Sequence, residues 1–255
     1  MTEDWAKIFE VGFAAPASEV QQRVWRAVFG SEYPEGVEPF SFVSRTELAR
    51  FSAEVMVDRK GHLVDVGCGR GGPGLWVAAN TGARLTGVDI AASAVAAAEQ
   101  RARSLGLAAR AEFVRGTFES MPLDDGSVDA VMSVDALLFA PDKRAALAEL
   151  GRVLRHGGRL VFTSWDYQSQ PAGRPPQVDD HRPLLVAAGF LVRAYDETEG
   201  WYERHARLDA GLLAAAEELA AESGEGVEAV RANIEEMHAN LATMLRRVFV
   251  VAQKT

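Results

Sequence analysis

From residue 62 onward the chain alternates short apolar runs with longer alanine-rich segments, and this repetition restricts the fold more than any other feature. HLVDVG, RLTGVDI, AEFVRG, SVDAVMSV and RLVFTSW read as five strands. The segments between them carry helical spacing and end in glycine. Gly106 follows one such segment. Leu147, Leu150, Val153 and Leu154 stripe another ahead of Gly157-Gly158, a glycine stop for a helix. Repeated strand–helix units of this size predict a parallel sheet with helices on both faces. Right-handed crossovers then restrict the strand order. FLVRAY and RRVFVVAQKT are predicted as a sixth and a seventh strand.

The flanking segments are helical. Residues 1–58 show no strand signal. Ser18 with Gln21 three residues on has capping-box spacing, and Val20, Val24, Trp25 and Val28 follow at helical intervals. After a loop, GSEYPEGVEPF, a second capping box at Ser44–Glu47 opens a helix with Leu48, Phe51 and Val55 on its buried face. Residues 166–180 contain three prolines and read as a loop, and His181–Gly189 as a short helix. A helical insertion over about 201–244 separates strands six and seven, with Val227, Val230, Ile234, Met237, Leu241 and Met244 recurring every three or four residues.

Length and charge narrow the class of protein. The 255 residues suit one α/β domain with an embellishment, or at most two small domains. With a net charge of −9 and no Lys/Arg block, the chain lacks the electrostatic footprint of a nucleic-acid binder. The single cysteine, Cys68, excludes an intramolecular disulfide and reads as structural. No uninterrupted apolar run is long enough to span a bilayer. The stretch MTEDWAKIFE lacks the basic and apolar regions of a secretory signal, so the expected location is cytoplasmic.

The motif with most chemical content is Asp65-Val66-Gly67-Cys68-Gly69-Arg70-Gly71-Gly72, at the exit of strand one and the entry of a helix. Glycines there allow tight turns and close approach of a ligand. The following helix offers unpaired N–H groups. Asp89 ends strand two, where a carboxylate can accept both ribose hydroxyls of an adenosine. Gly67, Gly69 and Gly72 also satisfy the dinucleotide fingerprint, so these residues alone leave a nicotinamide cofactor open. Two features favour a different cofactor. Asp65 places a negative charge where a pyrophosphate gains nothing and where an ammonium or sulfonium gains. The insertion before the terminal strand is unnecessary in a simple dinucleotide fold.

LVDVGCGRGGPG, LTGVDIA, FVRGTFESMPLDDGSVDAVMSVDALLF and LRHGGRLVFTSW stand in the order and spacing of the class I S-adenosylmethionine (SAM)-dependent methyltransferases. Over about residues 40–195 the chain resembles this family. Within it, the chain is similar to the small-molecule branch that includes quinone, tocopherol, sterol and bacterial natural-product methyltransferases. The resemblance implies a Rossmann-like α/β fold. Its seven-stranded, mostly parallel sheet carries helices on both faces, N-terminal helices and a helical lid between strands six and seven. It implies a helical cofactor cover at 1–58 and a SAM-binding core at 59–255 with a substrate lid at about 201–244. It also implies roles for residues. Gly67 and Gly69 would pass their backbone beneath the methionine part of SAM, and Asp65 would orient its amino group. Asp89 would hold the ribose and Ile90 would pack on the adenine. Thr117 and Phe118 would flank the adenine edge. An acidic residue often stands where Thr117 does, so Glu119 or the backbone would take that contact. Ser133, Val134 and Asp135 would end strand four where cofactor and substrate meet.

The expected reaction is methyl transfer to an O, N or C atom of a small-molecule acceptor, leaving S-adenosylhomocysteine (SAH). The protein would align the nucleophile and exclude water. Asp135, His205 and His238 are the candidates for proton transfer. Trp165, Asp166, Trp201, Tyr202 and Met237 are the candidates for the acceptor pocket. His62 and His156 flank strands and read as exposed turn residues, and His181 reads as surface. No cluster has metal-ligand spacing, so no metal is expected. The expected oligomeric state is a monomer or homodimer. The competing classes are a SAM-binding module without methyl transfer, such as a cyclase or regulator, and a nicotinamide-dependent oxidoreductase.

Overall fold

Seven strands form one sheet: β1 (His62–Val66), β2 (Arg84–Asp89), β3 (Ala111–Arg115), β4 (Val128–Val134), β5 (Leu154–Tyr167), β6 (Phe190–Glu197) and β7 (Met244–Lys254). Their spatial order is β3-β2-β1-β4-β5-β7-β6. Strands β1 to β5 pair in parallel, and β7 inserts antiparallel between β5 and β6. The computed structural model describes residues 4–38 and 40–255. Residues 1–3 of the N-terminal stretch and Pro39 of the 30–40 loop lie outside the described residues.

The sheet is buried on both faces. All five residues of β1 are buried. Its neighbours Leu63 and Val64 fall in two different cores, as alternation along a strand requires. One core joins Leu63, Met132 and Phe249 to α3 (Arg45–Glu54), α4 (Gly72–Thr81) and α5 (Ala92–Ser104) through Phe51, Leu75 and Ala98. The other joins Val64, Phe162 and Val250 to α6 (Lys143–Val153) and α7 (Arg182–Ala187) through Leu147 and Leu185. A fully buried side chain such as Phe51 contributes about 1.5–3 kcal/mol.

Two boundaries differ from the sequence-based expectation. Helix α6 ends at Val153, and Leu154 already belongs to β5, so Gly157-Gly158 is not the helix stop. Gly157 instead adopts φ +77° inside the β5 segment, where the pairing with β4 shifts register between Val128 and Ala130. At its other end β5 runs on through Tyr167, because β7 pairs with it as far as Tyr167, so 166–167 are strand and not loop.

The N-terminal helices α1 (Trp5–Ala14) and α2 (Glu19–Phe29) take different positions. Ser18 accepts the Gln21 N–H as its cap spacing predicts. The partner completing that cap comes from far along the chain: Glu222 accepts the Glu19 N–H at 2.7 Å and the Ser18 hydroxyl. Glu222 lies in α9 (Ala216–Ser223), which with α8 (Trp201–Ala214) and α10 (Val227–Leu241) makes up the insertion. Val24, Trp25 and Phe29 of α2 share a core with Leu208, Leu212 and Ile234. Among the described residues no helix is long and apolar enough to cross a membrane.

Candidate cofactor and acceptor site

The strand order reverses between β1 and β4, and the crevice outside the strand ends at such a point is where α/β sheets bind ligands. The turn leaving β1 fits that role. Gly67, Gly69 and Gly71 all have positive φ. The Gly67 and Cys68 N–H groups donate to the Val88 carbonyl at 2.8 and 3.2 Å, which ties the turn to the end of β2. A Cβ at Gly67 would stand 2.5 Å from the Ala136 Cβ. Helix α4 then begins with no side-chain cap, behind a left-handed Gly71.

Asp65 lies beneath this turn, 2% exposed. A Cβ on Gly74 would stand 2.5 Å from its Oδ2, so only glycine lets α4 start so close. That same oxygen has no hydrogen-bond partner. Burial, reinforced by the nearby Asp89 charge and opposed only in part by the backbone N–H of Gly74, pushes the Asp65 pKa up to about 7. A buried carboxylate without a partner is costly, and a cation arriving beside it removes that cost.

Asp89 is buried at the end of β2. Its Oδ2 accepts the Gly69 N–H at 2.8 Å and its Oδ1 accepts the Ala91 N–H at 3.0 Å. Burial raises its pKa, and these backbone donors oppose the rise. Each oxygen retains a second lone pair that can accept a ligand hydroxyl. Asp65, Gly67, Asp89, Ile90, Thr117 and Phe118 all line one cavity of about 590 Å3. Glu119 lines it too.

The remaining wall is apolar. Trp5, Phe9 and Phe13 of α1 line the cavity with Phe139, Pro175 and Pro176. Trp5 and Phe9 each have their ring centroid 4.8 Å from that of Phe139. Helix α1 buries none of its residues, so its aromatic stripe roofs an open space. Glu10 anchors it by accepting the Ala92 and Ser93 N–H groups at the start of α5, at 2.7 and 3.1 Å. Arg70 donates to the Ala15 carbonyl at the other end of α1. The four-residue aromatic spacing at 5, 9 and 13 is the sequence signal that could have revealed this roof.

Asp135 also lines the cavity, with φ +51° at the end of β4. It caps no helix, since Ala136 is the cap of the 137–139 turn. Its Oδ1 accepts from Arg247 Nε at 3.1 Å. Its Oδ2 accepts from Arg247 Nη2 at 3.1 Å and from the Phe42 N–H at 2.9 Å. Arg247 is buried and also donates to Glu47 and Thr198. Burial works against the Arg247 charge, but Asp135 and Glu47 override it and raise its pKa. Sequence reasoning missed Arg247, which sits unmarked beside Arg246 at the start of the apolar run of β7.

Other expected site residues lie off the cavity wall. Ser133 is buried and donates to the Val66 carbonyl at 2.8 Å, bonding β4 to β1. Trp165 and Trp201 pack in a separate core with Leu138 and Leu241. Asp166, fully buried, binds His181 at 2.8 Å, Tyr195 at 2.7 Å and Arg246 at 2.7 Å. Tyr202 and Met237 are exposed. His205 is buried against Phe42, and burial lowers its pKa to about 4. The exposed His238 meets Asp209 at 3.0 Å. Leu208, Leu212 and Ile234 of the insertion pack on α2, while Trp201 and Leu241 pack against Leu138. His62 and His181 are buried, contrary to the expectation of exposed positions, because each pairs with polar partners: His62 with Thr86 and Arg84, and His181 with Asp166. His156 is exposed. Among the described residues no group of three acidic, histidine or cysteine side chains could hold a metal ion.

A glycine turn, an unpartnered buried carboxylate and a second carboxylate one strand away define an α/β domain fitted to an adenosine cofactor bearing positive charge. SAM fits these residues. Comparison with known proteins agrees. Residues 64–162 match the family described as "Methyltransferase domain". The chain is 30% identical over 190 residues to a sarcosine/dimethylglycine N-methyltransferase of Halorhodospira halochloris, covering 72% of this chain and 64% of that protein. It is 40% identical over 114 residues to 24-methylenesterol C-methyltransferase 2 of Oryza sativa subsp. japonica, covering 44% and 31%. It thus spans less than two thirds of either relative. Among solved structures it resembles the [4+2]-cyclase SpnF, with a TM-score of 0.76 and 21% identity over 100% of this chain and 96% of that one. Residues 64–162 thus carry a methyltransferase domain, and the chain is similar to the class I SAM-dependent methyltransferases. That similarity favours SAM over a nicotinamide cofactor at the glycine fingerprint.

Proposed function

We propose that the protein transfers the methyl group of SAM to an O, N or C atom of a small-molecule acceptor and releases SAH. The observation that carries this reading is the buried, unpartnered Asp65 oxygen beneath a glycine turn, in a cavity shared with an aromatic wall. The bound sulfonium supplies an electrophilic methyl. The chain's own residues do the rest. Asp65 orients the ammonium, Gly67 and Gly69 let the backbone approach, Asp89 accepts the ribose hydroxyls, and Ile90, Thr117 and Phe118 bracket the adenine. Trp5, Phe9 and Phe139 exclude water and hold the acceptor in line. Asp135 acts here as a fixed carboxylate that ties the 42 region to the cavity. His205 and His238, held at Asp209, take no part.

In this reading residues 1–58 cover the cofactor and 59–255 form the core, with 201–244 bracing the cover through α2. The acidic chain, with no cationic patch, suits a cytoplasmic enzyme without a nucleic-acid partner, monomeric or homodimeric. Calorimetry with SAH tests the first half, and absence of binding would overturn it. An SAH-release assay with SAM tests the second, across amine acceptors such as sarcosine and sterol-like apolar acceptors. SAH binding with no release from any acceptor class would favour a non-transferring SAM-binding module.

A further inference from the structure

Lys143 stands where helix physics disfavours a cation. It is the first residue of α6, behind the Asp142 cap, at the positive end of the helix dipole. It is 5% exposed and makes no salt bridge among the described residues, with Glu119 acting on it from a distance. Burial lowers its pKa to about 8. A buried ammonium without an acidic partner is destabilising unless its protons are well used.

Its protons are fully used, and on two separate segments. Nζ donates to the Leu138 carbonyl at 3.2 Å, to Ala140 at 3.4 Å and to Pro176 at 2.6 Å. Gln177 repeats the pattern, donating from Nε2 to Leu138 at 2.8 Å and to Pro175 at 2.7 Å. No backbone hydrogen bond joins the 137–141 turn to the 175–177 segment among the described residues. The sequence explains why side chains must do this. Pro141, Pro175 and Pro176 have no N–H, so the two segments meet mainly through acceptors. Both segments line the cavity, through Phe139, Ala140 and Pro141 on one and Pro175 and Pro176 on the other. None of those five belongs to the glycine turn, to Asp89 or to the 117–118 pair.

We infer that Lys143, seconded by Gln177, is a positioning residue for the acceptor: it clasps the 137–141 turn and the 175–176 prolines into one rigid wall and so sets the shape of the acceptor pocket. This rests on the proposed function, which puts the acceptor in that cavity. The cofactor residues lie on other segments, so the clasp bears on the acceptor and not on SAM.

The test uses the full chain with SAH as the probe. Lys143→Met keeps the apolar stem and removes the donors, Lys143→Arg keeps cationic donors, and Gln177→Leu cuts the second arm without touching α6. SAH affinity should stay within about twofold in all three, because the clasped segments carry none of the residues assigned to SAM. In the SAH complex, Lys143→Met should speed amide hydrogen exchange at least about tenfold in peptides covering 137–141 and 173–178, while β1 and β2 stay protected. Lys143→Arg should restore most of that protection, and Gln177→Leu should loosen the same two segments. Unchanged exchange in both segments of Lys143→Met would overturn the inference. So would loosening confined to α6 or spread evenly over the sheet, which would make Lys143 a packing residue. Failure of the wild type to bind SAH would instead remove the proposed function and leave the clasp as a structural feature. Once an acceptor is identified, the loss in Lys143→Met should fall on the acceptor KM and not on that of SAM.

Discussion

Lowering the pH from 8 to 6 should weaken SAH binding while stabilising the unliganded protein, and both effects trace to Asp65. Its carboxyl is buried with one oxygen unpartnered, and its pKa stands at about 7 against 3.8 for an ordinary aspartate. A bound ammonium requires the ionised form. With a pKa of about 7, roughly one tenth of the carboxyl is ionised at pH 6 and nine tenths at pH 8, so affinity should fall about tenfold across that interval. Binding at pH 6 should release close to one proton, read as a dependence of the calorimetric enthalpy on buffer ionisation heat.

The stability effect has the opposite sign. The folded pKa lies above the unfolded one, so folding favours the protonated carboxyl. The resulting destabilisation grows as pH rises from about 4 toward 7 and is fully present above 7. Between pH 8 and pH 6 the relief is about one pKa unit, or about 1.4 kcal/mol. For a chain of this size that corresponds to a Tm gain of roughly 3–5 °C. Asp65→Asn should abolish both dependences, melt higher than wild type at pH 8 and bind SAH weakly at every pH. A variant that keeps the tenfold pH dependence would refute the assignment to Asp65.

Three further outcomes are expected. Asp89→Ala should weaken SAH binding by about 1.5–3 kcal/mol in calorimetry, the range for hydrogen bonds to a charged group. Gly67→Val should abolish binding, because its Cβ would crowd Ala136 at a positive φ; normal SAH affinity in a folded Gly67→Val protein would show that the turn is not the site. Asp135→Ala should cost about 3–5 kcal/mol in denaturant unfolding, since it strips a buried arginine of one of its two carboxylates, and a loss under 1 kcal/mol would show that Glu47 alone holds Arg247.

The parts of the site legible in the sequence are those that sit where a strand ends. Asp65, Gly67, Asp89 and Phe118 are each within a few residues of the end of β1, β2 or β3, and the sheet order delivers these three termini to one crevice. Period and punctuation suffice to place them. The apolar wall has no such logic. Trp5, Phe139 and Pro175 come from segments more than 30 residues apart, and their residue types are those of any core. The insertion misled for a related reason. Its mixture of aromatic and polar side chains suits a pocket, yet the same mixture satisfies a helix that buries Trp201 beside Leu241 and pairs His238 with Asp209. Only the partner surface distinguishes the two, and for Trp201 and Leu241 that partner is Leu138 and Trp165.

Locally unfavourable features separate the cavity from the rest of the buried polar structure. Asp65 has an oxygen without a partner, Asp135 holds a left-handed backbone without being glycine, and Lys143 places a cation at the wrong end of a helix. Each departs from what the local segment prefers, and each lies on or directly behind the cavity wall. The Asp166 network with His181, Tyr195 and Arg246 provides the contrast. It is at least as buried and as polar, but its carboxylate receives three side-chain partners, and it clamps β5 to β6, β7 and the start of α7, although His181 Nε2 itself has no partner. Burial of charge therefore does not by itself mark the site. What marks it is the carboxylate oxygen left without a partner at Asp65, which a bound cation can complete.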